Sequence, residues 1–270
     1  MTQPFHFQQG SVPLLISMPH VGTTIAPEVS AQMLPVAQEK ADTDWHLPLL
    51  YNMAQSLGAS ILVAEYSRYV IDLNRAPDNA NLYPGQDTTG LCPVDTFHKQ
   101  PLYAPGQLPD EMEVQRRIAT YWHPYHAQLQ AELERLLSVH GQVVLWDAHS
   151  IASVVPRFFE GRLPDLNFGT ADGQSCASGL QNALASCLRT STHAQAYSHV
   201  FNGRFKGGYI TRQYGQPQRR IHAVQLEMSQ CVSMNEAAPY AYRPDLAQQI
   251  QPLLTGLLQT CIAFAGEMTA

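Results

Sequence analysis

Five short apolar runs dominate the chain: VPLLISM (12–18), SILVAEY (60–66), YVIDL (69–73), QVVLWDA (142–148) and HAVQLEM (222–228). Each has strand length and is rich in Val, Ile and Leu, without the strict alternation of a half-exposed strand. That is the pattern of strands covered on both faces. Helical spacing falls between them. Trp45, Leu49, Met53 and Leu57 stand at steps of four, and Leu180, Leu184 and Leu188 repeat that spacing. Ile118, Tyr121, Trp122, Tyr125, Leu129 and Leu133 continue another stripe, in which Pro124 is expected to kink or divide the helix. A last helix is predicted from about Pro244 to Ala265. Strands alternating with helices predict an α/β fold, a three-layer α/β/α arrangement with a mostly parallel or mixed central sheet. The Pro/Gly-rich stretches 77–109 and 161–175 punctuate the pattern without separating two kinds of sequence, so residues 1–270 are read as one domain.

A chain of 270 residues with 45% hydrophobic and 14% charged residues has ample material for a packed core. Its net charge of −6 gives no electrostatic reason to expect nucleic acid or an anionic membrane surface as partner. The expected partner is a small molecule. Five cysteines without a CxxC pair argue against a disulfide framework and a thiolate zinc site. The start MTQPFHFQQG has no basic segment followed by an apolar core, and no run of about 18 apolar residues offers a bilayer span. A cytoplasmic enzyme is the expected class.

In an open α/β sheet, ligands bind beyond the carboxyl ends of the strands. Unusual polarity gathers at those ends here: His20 after LLISMP, Asp72 to Arg75 after YVI, His149 after VVLWDA, and Glu227 in HAVQLE. A catalytic zinc ion takes three nitrogen or oxygen ligands and keeps a position for water. His20 and His149 are the best histidines, Asp44 is the best carboxylate, and Asp42 competes with it. Read singly, each histidine is equally a core residue bonded to backbone, and Asp44 equally an acid at a helix start. Asp147 shares a strand face with His149 and suits the task of orienting it. Ser150 beside His149 offers a serine nucleophile, but the GxSxG turn is absent.

Arg204, Lys206, Arg212, Arg219 and Arg220 crowd one stretch, and no acidic residue occurs from 201 until Glu227. With Arg68 and Arg75, this basic patch suits a substrate that carries carboxylates; charge alone equally describes a solvated glycine-rich loop. Glu227, alone at the end of an apolar run, is a candidate proton-transfer group or, equally, a structural partner for an arginine. His222 reaches the same side only if its strand bulges.

Seven segments in order, SMPHVGTTI, KADTDWHL, SRYVIDLNR, LWDAHSIAS, GRLPDLNFGTADGQSC, KGGYITRQYG and IHAVQLEMSQ, make the chain resemble the N-formylglutamate deformylase (N-formylglutamate amidohydrolase) family over about residues 12–234. The resemblance implies a zinc-carboxypeptidase-like hydrolase that splits N-formyl-L-glutamate into formate and L-glutamate at the end of a histidine-degradation route. It implies a metal held by His20, Asp44 and His149, zinc or another divalent transition metal, with Glu227 as the general base. DLNR is also similar to a motif of aspartoacylases whose Asn and Arg hold substrate. Asn74 and Arg75 are therefore expected to face the substrate, and with Arg68 and Arg212 of the basic patch to bind its carboxylates. One departure stands out: relatives of the wider group take two ligands from HxxE, whereas Thr23 occupies the glutamate position after His20, so Asp44 is the expected replacement. A deacylase for another N-acyl acidic amino acid and a non-catalytic binder of acidic molecules are the alternatives.

Overall fold

The computed structural model describes residues 3–81, 85 and 87–266. Among these residues seven strands share one sheet in the order β1-β3-β2-β4-β7-β5-β6. They are β1 (Phe5–Gln8), β2 (Leu14–Met18), β3 (Ser60–Ala64), β4 (Val143–Ile151), β5 (Leu166–Gly169), β6 (His199–Phe201) and β7 (Ile221–Ser229). The central β3, β2, β4 and β7 run parallel, β1 is antiparallel at one edge, and the β5–β6 pair lies antiparallel to β7. The expected mixed sheet is therefore present.

Among the described residues, eight α-helices accompany it: α1 (Pro27–Ser30), α2 (Leu47–Leu50), α3 (Met53–Ser56), α4 (Glu111–Arg117), α5 (His123–His140), α6 (Ser178–Thr190), α7 (Tyr209–Tyr214) and α8 (Pro244–Gly266). Alternate residues of each central strand enter different cores. Leu14, Ile16, Val144, Trp146, Val224 and Leu226 pack with Leu180, Leu184, Leu254 and Leu257 of α6 and α8. Leu15, Val143, Leu145, Ile221 and Ala223 pack instead with Tyr125, Leu129 and Leu133 of α5. Burial on both faces explains why the strands read as continuous apolar runs. No helix among the described residues is long and apolar enough to cross a membrane.

Three local expectations are corrected. YVIDL is not a strand: residues 68–73 form a turn and irregular chain although Val70, Ile71 and Asp72 are buried. The Trp45–Leu57 stripe is not one helix but the short α2 and α3, broken at Tyr51–Asn52, and α2 itself begins only after His46, which takes a left-handed φ of 63° ahead of Pro48. Leu47, Leu50 and Ala54 are buried there, whereas Leu49, part of the predicted stripe, is 55% exposed. The third concerns omissions: β1, β5 and β6 have only four, four and three residues, and β5 lies inside a stretch read as punctuation. The Pro124 expectation holds, since a π-helical turn, Ile118–Trp122, separates α4 from α5 just before that proline.

Candidate metal centre and acidic-ligand cleft

The face of the sheet that meets α5 is apolar at the amino ends of its strands and polar at their carboxyl ends. Along β4 the residues on that face are Val143, Leu145, Asp147 and His149; along β7 they are Ile221, Ala223, Gln225 and Glu227. Parallel register sets His149 beside Glu227 and Asp147 beside Gln225. All four are buried. His20 joins them from the turn after β2.

Asp44 lies above this strand end, in the turn that precedes α2 rather than in a helix. Its backbone N–H donates to the His20 carbonyl at 3.0 Å. Its Oδ2 stands 3.1 Å from His149 Nδ1, 3.7 Å from His20 Nδ1 and 3.1 Å from the Ser150 N–H that donates to it. Two imidazole nitrogens thus converge on one carboxylate oxygen. Asp42 does not join them; its Oδ2 accepts from the Phe97 N–H at 2.9 Å. Ser150 is committed through its backbone, and its hydroxyl receives only a long 3.5 Å contact from Gln230.

The outer nitrogens of both rings face carboxylates. His20 Nε2 is 2.6 Å from Asp72 Oδ1, and Arg68 holds the other Asp72 oxygen at 2.8 Å. His149 Nε2 lies 3.1 Å from Asn74 Nδ2 and 3.2 Å from Asp147 Oδ1. The second approach is off the hydrogen-bonding direction, which leaves Asp147 Oδ1 a buried oxygen without a hydrogen bond. That orphan fits a metal centre: once Nδ1 is given to a metal, the ring proton sits on Nε2, where Asp147 Oδ1 is the acceptor in reach and the Asn74 amide, a donor, must turn aside. The surplus of buried acids points the same way, because Asp44 and Asp72 share the buried guanidinium of Arg68 while Asp147 and Glu227 are buried at the same strand ends. Two nitrogens and an oxygen are a donor set suited to zinc and similar divalent ions. The buried group His20, Asp44 and His149 could thus hold a metal.

Charge distribution tunes each group. Burial is the largest influence on Glu227 and pushes its carboxyl up to about 8, with His149 opposing and Asp44 adding to the rise. Burial likewise disfavours an ionised Asp44, but the hydrogen bond from His149 and the nearby His20 ring overcome it and hold that acid below its ordinary range. Asp72 is also held low, its burial outweighed by His20 and Arg68. Gln225 donates from Nε2 to Glu227 at 3.2 Å and accepts at Oε1 from the Gly208 N–H at 2.7 Å.

His20, Asp44, His149 and Gln225 border a cleft of about 610 Å³ that opens to solvent. Arg68, Asn74, Arg75 and Glu227 border it as well. Arg68 is already paired with Asp72 and Asp44, and Asn74 spends its side chain on His149 and the Ile210 N–H. Arg75 donates to the Thr89 carbonyl at 3.0 Å while facing the cleft. Arg212 is exposed, donates to the Gly207 carbonyl at 2.9 Å and does not border the cleft. Arg204 of the same basic stretch does. His222 is turned away and accepts from the Ala177 N–H at 3.1 Å, so β7 supplies no bulge that returns it to Glu227.

Sequence reasoning missed the roles of Asp72 and Gln225 and the aromatic wall of Phe97, Phe158 and Phe205. Period-two spacing from Glu227 was available for Gln225. The aromatic residues come from irregular segments that carry no such period.

A protein-family model, N-formylglutamate amidohydrolase, matches residues 12–234. The chain belongs to the N-formylglutamate amidohydrolase family. It is 50% identical over 270 residues to the N-formylglutamate deformylase of Pseudomonas aeruginosa, with all of both chains covered. Identity to the N-formylglutamate deformylase of Pseudomonas putida is 48% over 267 residues, covering 99% of this chain and 98% of that one. The crystal structure of N-formylglutamate amidohydrolase from Ralstonia eutropha JMP134 superposes with a TM-score of 0.79 at 25% identity, covering 97% of each chain. A gene product of Agrobacterium tumefaciens shares the fold, with a TM-score of 0.72 at 17% identity over 98% of this chain and 97% of that one. The chain is an amidohydrolase of this family.

Proposed function

We propose that this enzyme hydrolyses N-formyl-L-glutamate to formate and L-glutamate, with a divalent transition metal, zinc in our reading, held by His20, Asp44 and His149. The observation that carries the reading is the convergence of both histidine Nδ1 atoms on Asp44 Oδ2, at 3.1 and 3.7 Å, in a cleft that Glu227 also borders. A metal in that group supplies Lewis-acid polarisation and a water acidified toward neutral pH. The chain's own side chains do the remaining work. Asp72 holds the His20 ring in place through Nε2, and Asp147 stands ready to do the same for His149. Glu227 takes a proton from the water that attacks the formyl carbon. When the C–N bond breaks, Glu227 returns that proton to the departing amine nitrogen. Burial suits it to both steps, since a carboxyl near neutrality gives and takes protons with comparable ease. Arg75 binds a substrate carboxylate, while Arg68 acts one layer back by neutralising Asp72 and Asp44.

In this reading residues 1–270 work as one catalytic domain, supported by the single sheet that all seven strands share. The reaction would end one route of histidine degradation in the cytoplasm, a placement supported by five cysteines that are all free thiols. The test is formate release from N-formyl-L-glutamate by purified protein, before and after chelation and zinc restoration, with N-acetyl-L-aspartate alongside. Chelator-sensitive release from the formyl compound alone is expected. Preference for N-acetyl-L-aspartate, or release that chelation leaves unchanged, would overturn the substrate or the metal assignment respectively.

A further inference from the structure

We infer that Arg204, with the aromatic side chains around it, forms the subsite for the distal γ-carboxylate of the substrate, while Arg75 serves the α-carboxylate. The inference deepens the proposed function and rests on a dicarboxylic amino acid as ligand. Among the described residues that border the cleft, the lysines and arginines are Arg68, Arg75 and Arg204. Arg68 is excluded by its partners: it lies 2.8 Å from Asp72 and 3.5 Å from Asp44, beneath the metal centre. A ligand with two carboxylates therefore meets Arg75 and Arg204.

Position separates their tasks. Arg75 follows Asn74, whose amide touches His149, and its Nη1 donates to the Asn74 carbonyl at 3.3 Å. It thus stands close to the metal centre, where the amide and its α-carbon must lie. Arg204 is anchored on another wall, donating from Nε to the Phe158 carbonyl at 2.5 Å with its guanidinium 5.4 Å from the Phe205 ring centre. Phe158 packs edge-on against Phe97 at 4.9 Å, and Phe97, Phe158 and Phe205 all border the cleft. Apolar walls leading to a guanidinium match two methylene groups that end in a carboxylate. Asp87 is the acid that borders this outer part of the cleft, and Lys99 at 2.8 Å and Arg157 at 2.9 Å cover its charge. A second anion can therefore enter.

The test compares wild type with Arg204→Met and Arg204→Lys, using calorimetric binding of L-glutamate and of L-glutamine, whose neutral γ-amide has nearly the same shape. Turnover of the two N-formyl derivatives is measured in parallel. Wild type should prefer the γ-carboxylate, and Arg204→Met should lose about thirtyfold or more on L-glutamate. L-Glutamine binding should change less than about threefold, which also reports that the cleft has kept its form, and Arg204→Lys should retain an intermediate preference. Equal losses on both ligands, or an unchanged preference in Arg204→Met, would overturn the subsite. So would a wild-type protein that binds both ligands equally. If wild type binds L-glutamate selectively but hydrolyses neither formyl compound, the proposed reaction fails while the Arg204 subsite stands or falls on the binding comparison alone.

Discussion

Glu227 and Arg75 are chemically ordinary residues whose surroundings give them different work. Burial, more than any neighbour, favours the neutral form of Glu227, and its strand holds it beside His149. Glu227→Gln keeps the shape and the bond to Gln225 but removes the exchangeable proton. It should lower kcat by about 10² to 10⁴-fold with little change in substrate KM; steady-state kinetics decide this, and an unchanged kcat would remove Glu227 from the chemistry. Arg75 is tied to the Thr89 and Asn74 carbonyls yet still borders the cleft. In Arg75→Ala a substrate carboxylate is left without its partner, at about 2–5 kcal/mol in kcat/KM. A folded Arg75→Ala enzyme with wild-type kcat/KM would refute the assignment. His20, His149 and Glu227 were legible in sequence because each interrupts an apolar strand where an α/β sheet places ligands. Asp44 was legible as one of two acids, and only the folded turn separates it from Asp42. Asp72 was visible as misplaced polarity, but its task of holding His20 depends on a contact between residues 52 apart in the chain.

At the level of elements, the long parallel strands and the helices α5, α6 and α8 follow from runs and periods that survive folding. The segment 68–75 misleads because it is as buried as a strand while making turns. Its polar groups are satisfied locally and by side chains: the Asp72 N–H donates to the Leu91 carbonyl at 2.7 Å, and the Asn74 N–H donates to Asp72 Oδ1 at 2.9 Å. Burial alone cannot distinguish such a segment from sheet. This loop meets the start of α7 so closely that a Cβ on Gly208 would lie 2.3 Å from Asn74 Nδ2. Gly208→Ala must therefore displace the Asn74 side chain, which contacts His149 and accepts from the Ile210 N–H. The substitution should cost about 1–3 kcal/mol in stability and lower kcat/KM by more than that loss of folded protein explains. Denaturation and kinetics on the same preparation test it, and a variant equal to wild type in both would show that the contact carries no strain.

The molecule as a whole concentrates acid beneath the cleft and joins its layers around it. Asp44, Asp72, Asp147 and Glu227 are all buried at one end of the sheet, so a cation binding the folded chain should stabilise the entire domain. Chelation should lower the melting temperature, with zinc restoring it; at a thousandfold excess over Kd the difference is about 4 kcal/mol. Identical melting with and without metal would argue against the site independently of any activity. A second whole-molecule coupling runs through His126 on α5. Its Nε2 donates to the Leu73 carbonyl at 2.9 Å, Nδ1 accepts from the Tyr214 hydroxyl at 2.9 Å, and Trp122 stacks 3.7 Å away. One imidazole thus fastens α5 to both the DLNR loop and the end of α7. Burial lowers it from an ordinary 6.5 to about 3, outweighing the support of the Leu73 carbonyl, with the neighbouring His123 adding to the fall. The folded chain therefore refuses a proton that the unfolded chain accepts once the pH drops below about 6.5. This contribution is absent above that pH, removes stability progressively as the pH falls, and levels off near the folded value of about 3. Urea denaturation between pH 7 and 4.5 should show wild type losing stability more steeply than His126→Gln, by up to about 1.4 kcal/mol per pH unit. Parallel slopes would mean that His126 takes up its proton without unfolding, and that α5 and the two segments above it are less firmly joined than their hydrogen bonds imply.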